Sequence, residues 1–296
     1  DGGHKRDRFL VDELGPFVEW VPVCPEVELG LGTPRPTLRL EKRGQDVRMV
    51  EPKTDTDHTD AMRAYARRRV KALEPEDLSG YVLKKDSPSC GLERVKLYGG
   101  PGPAARTGRG LFAEALVERF PHLPVEEEGR LGDARLRESF VVRVFAYQRL
   151  TRLFTGRWTQ GQLVAFHTAH KLLLLAHLPS AYASLGRLVA AGRQLAREEL
   201  SRRYQDDFMA ALARPATRRL HTNVLQHMVG HFRGLLDASD RDELLGLIED
   251  HRRGLSPLIV PVTLVRHHAR RLGVPYLLGQ VYLDPHPKEL MLLNRV

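Results

Sequence analysis

Near Asp133 the periodicity of this sequence changes, and the change divides the chain between two fold classes. Before it, short apolar runs alternate with helical stretches, which predicts an α/β unit. After it, strand-like runs largely disappear and apolar residues recur at helical spacing. The helices predicted there cover 136–154, 160–178 behind a Thr159 cap, 181–191, 195–212, 217–236, 241–251 behind Asp240, and 257–272. We therefore expect residues 1–130 to form an α/β unit, Rossmann-like with a small parallel sheet, and residues 131–296 an all-α unit. The linker is expected at 126–133, with Glu126-Glu127-Glu128-Gly129 as its polar centre.

In the first unit, Phe9, Leu10, Val11 and Leu14 predict a helix that Gly15-Pro16 ends, and Phe17 to Val23 reads as a strand. Leu38 to Leu40 and Val47 to Val50 flank a Gly44 turn and read as a hairpin. Thr56 or Asp57 can cap a helix to about Leu73. Further strands are expected at Tyr81 to Lys84, Val95 to Tyr98 and Leu123 to Val125, and a helix at Leu111 to Phe120. The Gly/Pro-rich stretch from Gly99 to Gly110, with Arg106, Thr107 and Arg109, is either a lid over an anionic substrate or a long connection.

The chain has two cysteines, and each follows an apolar run. Cys24 sits in Cys24-Pro25-Glu26 and Cys90 in Asp86-Ser87-Pro88-Ser89-Cys90-Gly91, a turn that crowds a thiol and two hydroxyls together. If the preceding runs are neighbouring parallel strands, both loops face one crevice and can share a ligand. The competing reading makes both thiols small buried hydrophobes. Two cysteines exclude a disulfide-dense secreted scaffold and point to a reducing cytosol. The longest apolar stretch, Leu172 to Leu178, is far shorter than the roughly 20 residues of a membrane span.

Charge separates along the same boundary. Lys plus Arg number 23 against 24 Asp plus Glu in residues 1–136, and 23 against 13 in residues 137–296, so the +9 of the whole chain belongs to its second part. Such an excess favours a polyanion, most simply nucleic acid. Lys171, Arg202, Arg203, Arg218, Arg219, Arg270 and Arg271 are the candidate phosphate contacts. Tyr147, Trp158, Tyr204 and Phe232 are the aromatics available for base stacking. The histidine pairs His167/His170, His227/His231 and His267/His268 lack a metalloprotease signature, which favours structural or phosphate-facing roles.

Asp1-Gly2-Gly3-His4-Lys5-Arg6-Asp7, Val23-Cys24-Pro25-Glu26 and Lys85-Asp86-Ser87-Pro88-Ser89-Cys90-Gly91 together resemble the TudS family of thiouracil desulfidases. Phe166-His167-Thr168-Ala169-His170-Lys171, Asn223-Val224-Leu225-Gln226-His227-Met228 and Tyr282-Leu283-Asp284-Pro285-His286-Pro287 resemble the YbgA-like helical domain. The fused order is similar to the RudS desulfidases, which convert 4-thiouridine in tRNA to uridine.

This resemblance implies a 4Fe-4S cluster on three cysteines. Cys24 and Cys90 match two of them, and the third is expected before Asp1. It further implies Glu26 as general base for the attacking water and Ser87 as proton donor or relay. Two other functions stand beside a cytoplasmic tRNA desulfidase without an obligate protein partner. One is a desulfidase for free thiouracil with a merely structural helical unit, and the other a non-catalytic RNA-binding protein with inert cysteines.

Overall fold

A computed structural model describes residues 6–99 and 102–296. Asp1 to Lys5 of the resemblance motif, and Gly100-Pro101 of the expected connection, lie outside the described residues. The chain divides into two compact units, Asp1–Gly132 and Asp133–Val296. The first is α/β and the second all-α.

In the first unit, the predicted helix is a π-helical turn at Phe9–Leu14, and Gly15–Phe17 continues it as a 3-10 turn. Phe17 to Val23 is a correction. It forms no strand, although Val21 and Val23 pack on the core. Pro22 has no N–H to give a ladder, so the segment reaches Cys24 unpaired.

A four-residue helix, α1 (Pro25–Glu28), follows with Cys24 as its N-cap. The hairpin is β1 (Arg39–Arg43) against β2 (Asp46–Glu51), in register from Arg39↔Val50 to Arg43↔Asp46, and it turns at Gly44 with φ +66°. A two-residue strand, β3 (Thr56–Asp57), extends it.

Asp57 then accepts from the Thr59 N–H at 2.8 Å and starts α2 (Thr59–Ala72), which buries Met62, Tyr65, Ala66 and Val70. Strands β4 (Tyr81–Leu83) and β5 (Val95–Tyr98) lie where the apolar runs predict. The stretch expected as a lid or connection instead contains β6 (Ala105–Gly108), paired antiparallel with β5. Next come α3 (Leu111–Arg119) and β7 (Val125–Glu127).

The main sheet has the order β3-β2-β1-β5-β6, and a second sheet pairs β4 with β7. Pairing is mixed within the α/β class. It is parallel in β1–β5 and β4–β7 and antiparallel in the other pairs, because short turns such as Gly44 can join only antiparallel neighbours. A further correction concerns the acidic run. Glu126 and Glu127 belong to β7 and are buried, so the stretch expected as linker is part of the sheet.

The second unit opens with α4 (Ala134–Phe154), whose N-cap Asp133 accepts from the N–H groups of Arg135 and Leu136. A Thr159/Gln162 capping box starts α5 (Gln160–His177), and Pro179 occupies the first position of α6 (Pro179–Ala190). Then follow α7 (Arg197–Leu212) and α8 (Arg218–Gly230), the latter ending six residues before the predicted Leu236 in turns that include Gly234 at φ +76°. Asp237, three residues before the predicted cap, starts α9 (Ala238–Arg253) by accepting from the Asp240 N–H at 2.8 Å. The unit ends with α10 (Ile259–Arg271), α11 (Pro275–Leu278) and three 3-10 turns. Leu150, Leu163, Tyr204, Phe208, Val224, Met228 and Val262 are among the residues of its core. Among the described residues no helix is long and apolar enough to cross a membrane.

Candidate active site

The turn after β4 leaves the carboxyl end of a parallel strand pair, the side on which open α/β sheets gather ligands. Its backbone is locked against the start of α3. The N–H groups of Phe112 and Ala113 donate to the Ser89 carbonyl at 2.9 and 3.2 Å, and that of Leu111 donates to the Pro88 carbonyl at 3.2 Å. The free N–H groups of a helix start are thereby satisfied by the turn itself. Such proximity requires glycine at 110, where a Cβ would lie 2.4 Å from the Ser89 carbonyl.

The acidic end of β7 holds the same turn from the other side. Glu127 accepts the Leu92 N–H at 2.8 Å, and Glu128 accepts the Lys85 N–H at 2.7 Å. Glu126 pairs with Arg130 at 2.7 Å.

Within this frame Glu26, Ser87 and Ser89 form one hydrogen-bonded group. Ser89 Oγ donates to Glu26 Oε1 at 2.6 Å, Ser87 Oγ donates to the same oxygen at 3.2 Å, and the two hydroxyls lie 2.9 Å apart. Arg35 Nε contacts the other carboxylate oxygen at 2.6 Å, with both side chains largely buried. Ser87 Oγ also receives the Cys90 N–H at 3.1 Å, and Ser89 Oγ lies 3.6 Å from Cys90 Sγ.

The Cys24 N–H donates to Glu28 Oε1 at 3.2 Å, and Glu28 Oε2 accepts from Tyr65 Oη at 2.8 Å and forms an ion pair with Arg69 at 3.0 Å. Burial, followed by the Glu28 carboxylate, raises the Tyr65 phenol well above its ordinary range.

Cys24 is exposed and Cys90 is half-buried. Burial pushes the Cys90 thiol up to about 12, opposed by the Ser89 hydroxyl and reinforced by the charges of Glu26 and Cys24. Cys24 stands two residues before Glu26, whose carboxylate is held by the hydroxyls of the Cys90 turn. A thiol in such surroundings ionises only beside a cation, which is what a coordinating metal supplies. The donor set present fits two ligands of an iron–sulfur cluster. Among the described residues no group of three or more His, Cys, Asp or Glu could hold a metal by itself.

The structure thus brings together Cys24, Glu26, Ser87 and Cys90. The sequence reading missed Ser89, Arg35, Glu28 and Glu127. For Ser89 there was a signal, a second hydroxyl two residues from Ser87 in the same turn; for the other three there was none.

The candidate phosphate contacts are spread over four helices. Lys171 lies on α5, Arg202 and Arg203 on α7, Arg218 and Arg219 at the start of α8, and Arg270 and Arg271 at the end of α10. Arg202 pairs with Asp206, Arg203 with Glu199 and Arg271 with Asp240, whereas Arg218, Arg219 and Arg270 are exposed. No contact among the described residues joins the seven into one groove.

Three of the four aromatics considered for stacking are core residues: Tyr204, Phe232 and Trp158 are 0%, 2% and 7% exposed, which removes them from a binding surface. His167 and His170 are buried as well. His167 Nδ1 is 3.1 Å from Tyr204 Oη, and His170 Nδ1 is 2.7 Å from the Phe166 carbonyl.

Residues 1–128 match the family described as 2-thiouracil desulfurase, which makes the first unit a desulfurase-type domain. Residues 171–287 match a family described as a protein of unknown function, DUF1722. The chain is 35% identical over 159 residues to the uncharacterized protein YbgA of Escherichia coli (strain K12), covering 53% of this chain and 94% of that relative. No solved structure matches the chain.

Proposed function

Because the chain belongs to the YbgA family and carries a 2-thiouracil desulfurase domain in its first unit, we propose that it is an iron–sulfur-dependent tRNA desulfidase, converting 4-thiouridine to uridine. The observation that carries this reading is the group Glu26–Ser89–Ser87 beside Cys90, an acid–base array touching a thiol at the carboxyl end of β4. The net reaction is hydrolysis, in which a thiocarbonyl and water become a carbonyl and hydrogen sulfide.

Cys24 and Cys90 would serve as two of the ligands of the 4Fe-4S cluster; when bound, the cluster supplies a soft Lewis-acid iron suited to sulfur. Glu26 takes the proton of the water that attacks the ring carbon. Arg35 holds the carboxylate from one side and the two serines from the other, so its orientation is set before substrate arrives. Ser87 hands a proton to the departing sulfur and is recharged through Ser89 and Glu26, with which it already shares hydrogen bonds.

The +10 of residues 137–296 supports tRNA over a free base, since a neutral nucleobase has no use for it. The target base must turn outward from folded RNA to reach the thiols. Two cysteines without a disulfide suit a reducing cytosol.

The test is anaerobic. Full-length protein reconstituted with iron and sulfide is mixed with 4-thiouridine-containing tRNA, and the thiocarbonyl near-UV absorbance is followed. Loss of absorbance with sulfide release is expected, and Glu26→Gln should slow it by about a hundredfold or more at unchanged iron content. A protein that carries iron yet leaves tRNA untouched while consuming free thiouracil would overturn the RNA reading.

A further inference from the structure

The two cysteines of the first unit are held in different ways. Cys90 lies in a turn fixed between the end of β7 and the start of α3. Cys24 instead ends a segment that joins no strand and precedes a helix of only four residues, α1. A helix that short has little stability of its own to fix its N-cap. Glu28 supplies what is missing. The Cys24 carbonyl accepts the Glu28 N–H at 2.9 Å, and the Cys24 N–H donates to Glu28 Oε1 at 3.2 Å. Both polar groups of the Cys24 backbone therefore end on one residue.

Glu28 is in turn held from outside α1. Tyr65 Oη donates to Glu28 Oε2 at 2.8 Å, and Arg69 Nε forms an ion pair with the same oxygen at 3.0 Å. Tyr65 and Arg69 are one turn apart on α2, so they share a face of that helix. Tyr65 is buried, and its ring centroid lies 6.3 Å from that of Phe112 on α3, within the core of the first unit. A carboxylate that only capped α1 would leave its second oxygen to water. Here that oxygen is tied to α2, and a continuous line of contacts, Phe112–Tyr65–Glu28–Cys24, leads from the packed core to an exposed cysteine. Arg69 also sets a cation against the carboxylate, which limits its repulsion of a thiolate on Cys24.

We infer, resting on the iron–sulfur reading of this site, that Glu28 is a positioning residue which Tyr65 and Arg69 anchor so that Cys24 is fixed as an iron ligand. The Cys24 backbone is ordered before a metal arrives, so binding iron does not have to order it, and the bound ligand is slow to swing away.

The experiment needs no substrate. Full-length protein is reconstituted anaerobically with iron and sulfide, and release of iron to an excess of a ferrous-iron chelator is followed by absorbance. Glu28→Ala should release iron about tenfold or more faster than the wild type. Tyr65→Phe keeps the ring and removes only the hydroxyl, and should speed release by about threefold to tenfold. Glu28→Gln retains an acceptor for the Cys24 N–H and should recover most of the loss, while Glu118→Ala, at an exposed position of α3, leaves release unchanged.

A purely structural role gives a different pattern. Tyr65→Phe would then lower the urea midpoint of the metal-free protein and leave iron release at the wild-type rate. Should Glu28→Ala fail to fold, Tyr65→Phe and Glu28→Gln carry the same test. Iron release at the wild-type rate in both Glu28→Ala and Tyr65→Phe would overturn the positioning role and leave the cluster standing. A wild-type protein that takes up no iron would overturn the iron–sulfur reading itself, and the role of Glu28 with it.

Discussion

Ser89 Oγ lies 2.6 Å from Glu26 Oε1, although the two residues are 63 positions apart, and this bond joins the Cys24 segment to the Cys90 turn. It is the shorter of the two serine contacts to that oxygen, the other being Ser87 at 3.2 Å. Ser89 is also 1% exposed, so its hydroxyl is committed to the carboxylate rather than to solvent.

Ser89→Ala should therefore lower single-turnover desulfidation by about tenfold to a hundredfold, with iron content unchanged. Ser87 and Arg35 still hold the carboxylate, so the loss should be smaller than for Glu26→Gln. A Ser89→Ala enzyme with wild-type turnover would remove Ser89 from the proton path.

Arg35→Met leaves the Glu26 carboxylate without its cation in a largely buried setting. Breaking such a pair should destabilise the first unit by about 3 kcal/mol in urea titrations. In Arg35→Met/Glu26→Gln the two costs should be less than additive, because each substitution removes the same interaction.

Glu127 accepts from two backbone donors, Leu92 N–H at 2.8 Å and Glu93 N–H at 3.4 Å, and is 4% exposed. Glu127→Ala should cost about 2 kcal/mol by leaving buried donors unsatisfied. Glu127→Gln keeps an acceptor oxygen there and should cost less. Amide exchange at Leu92 provides the local readout.

The second unit should lose stability on mild acidification. Burial lowers His167, His170 and His177 to about 4 and His221 to about 3. Below the unfolded value near 6.5 the unfolded chain binds these protons and the folded chain does not, so stability falls as pH drops toward 4. Each histidine adds about 1.4 kcal/mol per pH unit in that window. Glu138, which burial raises to about 7, acts in the opposite sense between about 4.5 and 7 and offsets one of them. Urea midpoints from pH 7 to pH 4.5 should follow the net slope, and His221→Gln should flatten it.

Where the sequence read well, the interaction that shapes the element is local. The Thr159 cap and the Gly44 turn are each complete within four residues and the structure realises both, while α2 takes His58 as its N-cap and Asp57, one position ahead, accepts the Thr59 N–H. The α9 start was misplaced by three residues because Asp237 and Asp240 are equally good caps by type, and only the packed helix direction chooses between them.

The acidic run at 126–128 shows the opposite limit. Three consecutive carboxylates look solvated by composition, yet Glu127 and Glu128 satisfy backbone donors more than 30 positions away, which is what makes burial tolerable. By itself the sequence determined the two fold classes and the charge division, since periodicity and charge are properties of the chain, whereas the meeting of Cys24-Pro25-Glu26 with the Cys90 turn was conditional on a strand at 17–23 that does not form. Tertiary structure alone decided that Arg35 and Ser89 hold Glu26, and that Glu127 accepts the Leu92 N–H from 35 positions away. Those outcomes depend on which donors and acceptors folding leaves facing one another away from water, and no local pattern records that.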